Sequence, residues 1–180
     1  MRSLLIVAGK EFRDGWRNRW VLAMTAVFTL FAFAIAYFGP AASGQVGFSS
    51  LATTIVSLAS LAVFLIPLIA LMIGYDTIVG EENQGTLLLL LSYPLARWQL
   101  LTGKFFGQGA ILASATLIGF GTAGISIAVM TGQVTDTWTW HALVVFVGSS
   151  ILLGWVFLAI AFLISTAAAD KGRAAGAALV

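Results

Sequence analysis

Few side chains in this 180-residue sequence could do chemistry, and most of those stand alone. There is no cysteine, which excludes disulfides, thiolate metal sites and thiol redox chemistry of the chain itself. The single histidine, His141, has no cysteine, carboxylate or second histidine at ligand spacing, and reads as an interface residue. Met24, Met72 and Met130 are too scattered for a soft-metal ladder, and gap filling accounts for them. No glycine-rich phosphate loop with its lysine is present, so no ATPase site of that type is expected, and no catalytic set can be assembled. What remains is the stretch 76–104, DTIVGEENQGTLLLLLSYPLARWQLLTGK, where Glu81, Glu82, Arg97 and Lys104 surround five consecutive leucines that include Leu89 and Leu90. That mixture suits binding. It predicts one or two short helices at a membrane surface, with leucines against lipid or protein and charged ends in water. Gly85 and Thr86 end or redirect the chain after Glu82, while Ser92 can cap a second short helix with Pro94 in its first turn. The plain alternative is a loop with an apolar patch.

The elements that must position this stretch are membrane spans. Sixty per cent of residues are hydrophobic and nine per cent charged, with a mean hydropathy of +1.02. A soluble domain carries roughly a quarter charged residues. Residues 20–75, 105–135 and 137–169 contain no Lys, Arg, Asp or Glu, and about 20 apolar residues suffice to cross the hydrocarbon. The sequence predicts an all-α polytopic membrane protein. Its spans fall at 20–38, 50–75, 105–130 and 140–168, and an amphipathic helix over 2–18 carries Leu5, Ala8, Phe12 and Trp16 on one stripe. Pro67 is expected to kink the second span near Phe64, because the bond to the residue four back is lost. Gly107, Gly119 and Gly124 belong to small-residue spacings that let the third span approach other helices closely. Residues 174–180 begin a new apolar run, so a longer chain with a fifth and a sixth span is expected.

Sidedness follows from charge. With the N-terminus inside, all nine basic residues lie on the cytoplasmic side, as the positive-inside rule expects. The region 76–104 is then cytoplasmic, within reach of a soluble partner. The basic balance is a topological signal and not a nucleic-acid surface. No charged residue sits at a span centre, which disfavours a proton or ion relay.

The run Glu81-Glu82-Asn83-Gln84-Gly85-Thr86-Leu87, then Leu90-Leu91-Ser92-Tyr93-Pro94, Arg97 and Gly103-Lys104, resembles the region after span two in ABC-2 type transporter permeases. The N-terminal Lys10-Glu11-Phe12-Arg13-Asp14, with Arg17 and Arg19, is similar to that family's elbow helix. Asn83 departs from the family's second acidic position, which leaves Glu81 as the better acidic contact. More narrowly, GTLLLLLSYPLARWQLLTGKFFG looks like the permease of the copper-processing ABC transporter of nitrous-oxide-reductase maturation. The resemblance implies a multi-pass protein of the bacterial inner membrane that pairs with a second copy of itself. It also implies two cytoplasmic ATPase subunits, which hold ATP and Mg, and a periplasmic β-helical copper-processing protein. This chain would contact lipid and bind no cofactor, metal or nucleic acid. Coupling to the ATPase would fall to Glu81, Glu82, Gly85, Thr86, Leu89, Leu90, Ser92, Pro94 and Arg97. The translocated species could be a sulfur compound or copper; the absence of cysteine and the scattered methionines fit sulfur, or transmission of motion to the periplasmic protein, better. The competing readings are an ABC-2 exporter of drugs, lipids or polysaccharide, and a non-transporting membrane scaffold.

Overall fold

Where an uncharged chain meets hydrocarbon, its backbone N–H and C=O groups must pair internally, and a helix does this within one segment. The computed structural model describes residues 2–38, 51–83, 85, 96–132, 137–167 and 176, and every regular element among them is helical. These are α1 (Arg2–Arg17), α2 (Arg19–Phe38), α3 (Leu51–Gly74), α4 (Val79–Asn83), α5 (Arg97–Met130) and α6 (Thr137–Ala167). Four stretches are long and apolar enough to cross a membrane: Val21–Phe38, Thr54–Glu81, Trp98–Met130 and Trp140–Ala167. The protein is thus an all-α polytopic membrane protein with a shorter helix ahead of its four spanning helices. The further apolar run at 174–180 lies outside the described residues except for Gly176.

Local chemistry sets several helix ends. Asn18 donates its N–H to the Gly15 carbonyl at 3.0 Å, closing α1 before α2 begins at Arg19. Beyond α5, Gly132 has φ +71°, the left-handed conformation that glycine adopts without a Cβ penalty. Helix α3 runs through Pro67. Helix α5 starts at Arg97, eight residues ahead of the expected span start at 105. Lys104 therefore lies within α5, not ahead of it.

The chain forms two compact units. One comprises Met1–Asn18, Pro67–Leu112 and Gly154–Val180. In it, α1 packs on α5 in a register of four residues: Val7 faces Gly103, Glu11 faces Gly107, and Gly15 faces Ile111. A Cβ on Gly107 would stand 2.5 Å from the Glu11 Cβ and 2.8 Å from the Ala8 carbonyl oxygen, so the two backbones approach closely. Helices α5 and α6 meet through Phe105, Trp155 and Phe162, with centroids 6.2 and 5.7 Å from Phe105. The Trp155 indole N–H donates to the Gly109 carbonyl at 3.1 Å. A Cβ on Gly74 would meet the Ala161 Cβ at 2.5 Å, which brings α3 against α6.

The other unit comprises Arg19–Ile66 and Ala113–Leu153. Its core is a row of three rings, Phe28 of α2, Phe120 of α5 and Phe146 of α6, each neighbouring pair 4.8 Å apart. Gly119 makes room for Phe28, whose ring would lie 2.5 Å from an added Cβ, and Gly124 makes room for Leu143 at 2.6 Å. Gly121 and Gly148 have no atom within 4 Å of a built Cβ.

That contrast is testable. Alanine normally stabilises a helix interior by roughly 0.5–1 kcal/mol over glycine, so Gly121→Ala and Gly148→Ala should leave the melting temperature in detergent unchanged or raised. Gly107→Ala and Gly119→Ala should lower it, Gly107→Ala more, because a carbonyl oxygen cannot swing aside as a ring can.

Candidate functional site

A lysine in an apolar helix must find replacements for water, since an unpaired buried ammonium is prohibitively costly. Lys104 lies in α5 and is 3 % exposed. Its Nζ donates to Glu81 Oε1 at 2.7 Å and to Glu11 Oε1 at 3.2 Å. One ammonium therefore joins three elements: the N-terminal helix α1, the short α4 and the start of α5. The expectation that the charges of 76–104 would end in water is corrected here for Lys104 and Glu81, which satisfy each other inside the protein. On the rim, Lys10 Nζ lies 3.6 Å from Glu11 Oε1 and 3.1 Å from Asp14 Oδ2, extending the ion pairs outward. Partial burial pulls the Lys10 ammonium down, but the hydrogen bond to Asp14 and the charges of Glu11 and Asp14 outweigh it. Its pKa is held above the ordinary lysine value.

The short α4 is positioned by hydrogen bonds on its other side. The N–H groups of Ile78 and Val79 both donate to Ser165 Oγ of α6, at 3.0 and 3.2 Å. They lie at the N-terminal end of α4, Ile78 just ahead of it and Val79 as its first residue, where N–H groups lack a helical acceptor, and a buried hydroxyl takes them. One residue earlier, Gln108 Nε2 donates to Thr77 Oγ1 at 2.9 Å. Five residues cannot hold a helix by propensity; Ser165, Gln108 and Lys104 hold α4 from outside. After α4 the chain turns at Gly85, which has φ +69° and is exposed.

Of the residues singled out in the sequence, Glu81 and Glu82 belong to α4 and Arg97 opens α5. Thr86, Leu89, Leu90, Ser92 and Pro94 lie outside the described residues. Gly107 lies one turn beyond Lys104, against α1. Three site residues escaped sequence reasoning: Glu11 as a partner of Lys104, and Gln108 and Ser165 as the supports of α4. For Glu11 a signal existed. It shares the four-residue stripe of Val7 and Gly15, and a carboxylate on the packed stripe of a helix needs a cation opposite. No pattern in the sequence marks Ser165. Among the described residues no group of three or more His, Cys, Asp or Glu could hold a metal ion.

The sequence profile of the ABC-2 family transporter proteins matches residues 5–180. The chain belongs to that family. It is 57 % identical over 173 residues to a "Probable ABC transporter permease protein NosY" of Pseudomonas aeruginosa, covering 96 % of this chain and 63 % of that protein. A protein of the same description from Stutzerimonas stutzeri is 54 % identical over 179 residues, covering 99 % of this chain and 65 % of its own length. The chain thus spans a little under two thirds of these ABC-2 relatives.

Breaking a buried ion pair by removing one member costs about 3–5 kcal/mol, whereas replacing all members can be nearly neutral. Lys104→Met alone should therefore lower the melting temperature of the purified protein sharply. The triple variant Glu11→Gln, Glu81→Gln, Lys104→Met should recover much of the loss in the same thermal scan.

Proposed function

We propose that this chain is the membrane-embedded permease subunit of an ATP-driven ABC-2 transporter, of the kind that supports copper-centre maturation of nitrous-oxide reductase. The observation that carries this reading is the 57 % identity, over nearly the whole chain, to a protein described as a NosY permease. The working protein sits in the bacterial inner membrane with its N-terminus in the cytoplasm, the side on which the basic residues accumulate. It pairs with a second copy, since four helices without a polar lining hardly enclose a path and closed twofold assembly is the commonest solution for identical chains. ATP and Mg are held by two cytoplasmic ATPase subunits, and a periplasmic β-helical protein receives the cargo or the motion. A sulfur species suits a chain without cysteine better than copper does.

In this reading the segment from α4 to the start of α5 is the docking element, and α1 is the elbow that moves with it. The Glu81–Lys104–Glu11 ion pairs favour such a role, because a push on α4 reaches α1 and α5 through one ammonium. Glu81 then works inward, and Glu82 is the acidic residue assigned to the ATPase contact. Leu89 and Leu90 anchor the element to the helices, and Gly85, Thr86, Ser92, Pro94 and Arg97 shape its surface.

Co-purification of the ATPase with this permease, and stimulation of its ATP hydrolysis in membranes, is the deciding measurement. Glu82→Lys should weaken association several-fold at low salt and little at high salt, as a rim pair worth about 0–1 kcal/mol does. Leu89→Asp or Leu90→Asp should abolish stimulation. Wild-type stimulation by all three variants would remove this segment from the interface. In native mass measurement the complex should contain two copies of this chain; a monodisperse species with one copy would sink the paired assembly.

A further inference from the structure

Helix α1 carries charge and apolar surface that its contacts with the protein leave uncovered. Its packed stripe is Val7, Glu11 and Gly15 against α5. Both of its acidic residues are engaged by lysines, Glu11 by Lys104 and Asp14 by Lys10. Arg13 and Arg17, four residues apart and so on one face, are exposed, and neither makes an ion pair among the described residues. Ile6, seven residues before Arg13 and therefore on the same face, is 71 % exposed. On the flank Leu5 is 69 % and Phe12 37 % exposed, with the Phe12 and Trp16 rings edge to face at 6.4 Å. Apolar side chains beside uncompensated arginines, on a helix that adjoins membrane-spanning segments, match a layer that is greasy below and negatively charged above.

We propose that Arg13 and Arg17, with Leu5, Ile6 and Phe12 beside them, form a binding surface for anionic phospholipid headgroups. The phosphodiester of a lipid such as phosphatidylglycerol accepts hydrogen bonds from the two guanidinium groups, each of which presents a planar fork of donors. The acyl chains meet the apolar flank. A zwitterionic headgroup carries its own ammonium and offsets the attraction. This surface is separate from the Lys104 ion pairs, whose carboxylates lie on the packed stripe, so it does not depend on how the permease couples to ATP.

The test uses the full chain reconstituted in phosphatidylcholine bilayers with trace spin-labelled phosphatidylglycerol or phosphatidylcholine. The relative association constant is read from the motionally restricted fraction of each label. The wild type should favour phosphatidylglycerol by roughly fivefold, the factor expected of about one basic residue acting fully at an anionic surface. Arg13→Gln with Arg17→Gln should lose at least half of that preference, and Arg13→Lys with Arg17→Lys should keep most of it. Equal association of the two lipids with the wild type, or an undiminished preference in the glutamine variant, overturns the proposal. So does a glutamine variant that keeps its lipid preference but loses stimulation of a cytoplasmic ATPase, since the surface then belongs to a protein.

Discussion

An ammonium in an apolar helix has to be neutralised where it stands, and the unit around Lys104 is arranged to meet that requirement. The side chain reaches two carboxylates on two other elements. Each constrains the other's position, because Glu11 and Glu81 would repel across the same space if the ammonium were absent. Gly107 is the steric counterpart of this pairing. Only a glycine one turn beyond the lysine lets α1 come close enough for Glu11 to reach Nζ, and the backbone contact at Ala8 is the mark of that approach. The electrostatic demand and the small residue are two parts of one solution.

The same logic explains why a five-residue helix persists at α4. Its first N–H groups go to Ser165, its third residue carries the carboxylate that Lys104 needs, and the turn ahead of it is fixed by Gln108. These contacts come from two other helices, Lys104 and Gln108 from α5 and Ser165 from α6, so α4 is a consequence of the helices around it. Such an element transmits displacement well. It has little stability of its own to absorb a push, and its polar contacts lead directly into α5, α6 and α1.

Much of this was legible in the sequence, and the reasons differ by feature. The spanning helices were legible because hydrocarbon imposes one rule on every residue, and long uncharged stretches satisfy it visibly. The family was legible through the resemblance of the run over 81–104 to ABC-2 permeases. Lys104 borders the uncharged stretch 105–135 in the sequence, yet it lies well inside α5. Charge alone does not locate a boundary; charge without a partner does, and of the two partners of Lys104, Glu81 lies 23 positions away and Glu11 93. Ser165 was invisible for a related reason. A serine in a membrane helix commonly bonds to its own backbone, as Ser126 does to the Thr122 carbonyl and Ser149 to the Phe146 carbonyl. Nothing local distinguishes a serine that caps another helix, as Ser165 does.

The stripe on α1 shows how a correct periodicity can still leave the packing open. Leu5, Phe12 and Trp16 recur at helical spacing, yet Leu5 and Phe12 stay exposed and only Trp16 is partly buried. The face that meets it runs through Val7, Glu11 and Gly15 and is built from smaller and more polar residues. In water this would be a paradox, because burial of large apolar groups drives helices together. Beside a membrane it is not. Lipid solvates a leucine or a phenylalanine as well as protein does, so large apolar residues are free to stay outside, and helices associate through small residues and paired polar groups. The N-terminal helix follows that rule on both faces, with glycine and carboxylate turned inward and leucine and arginine turned outward.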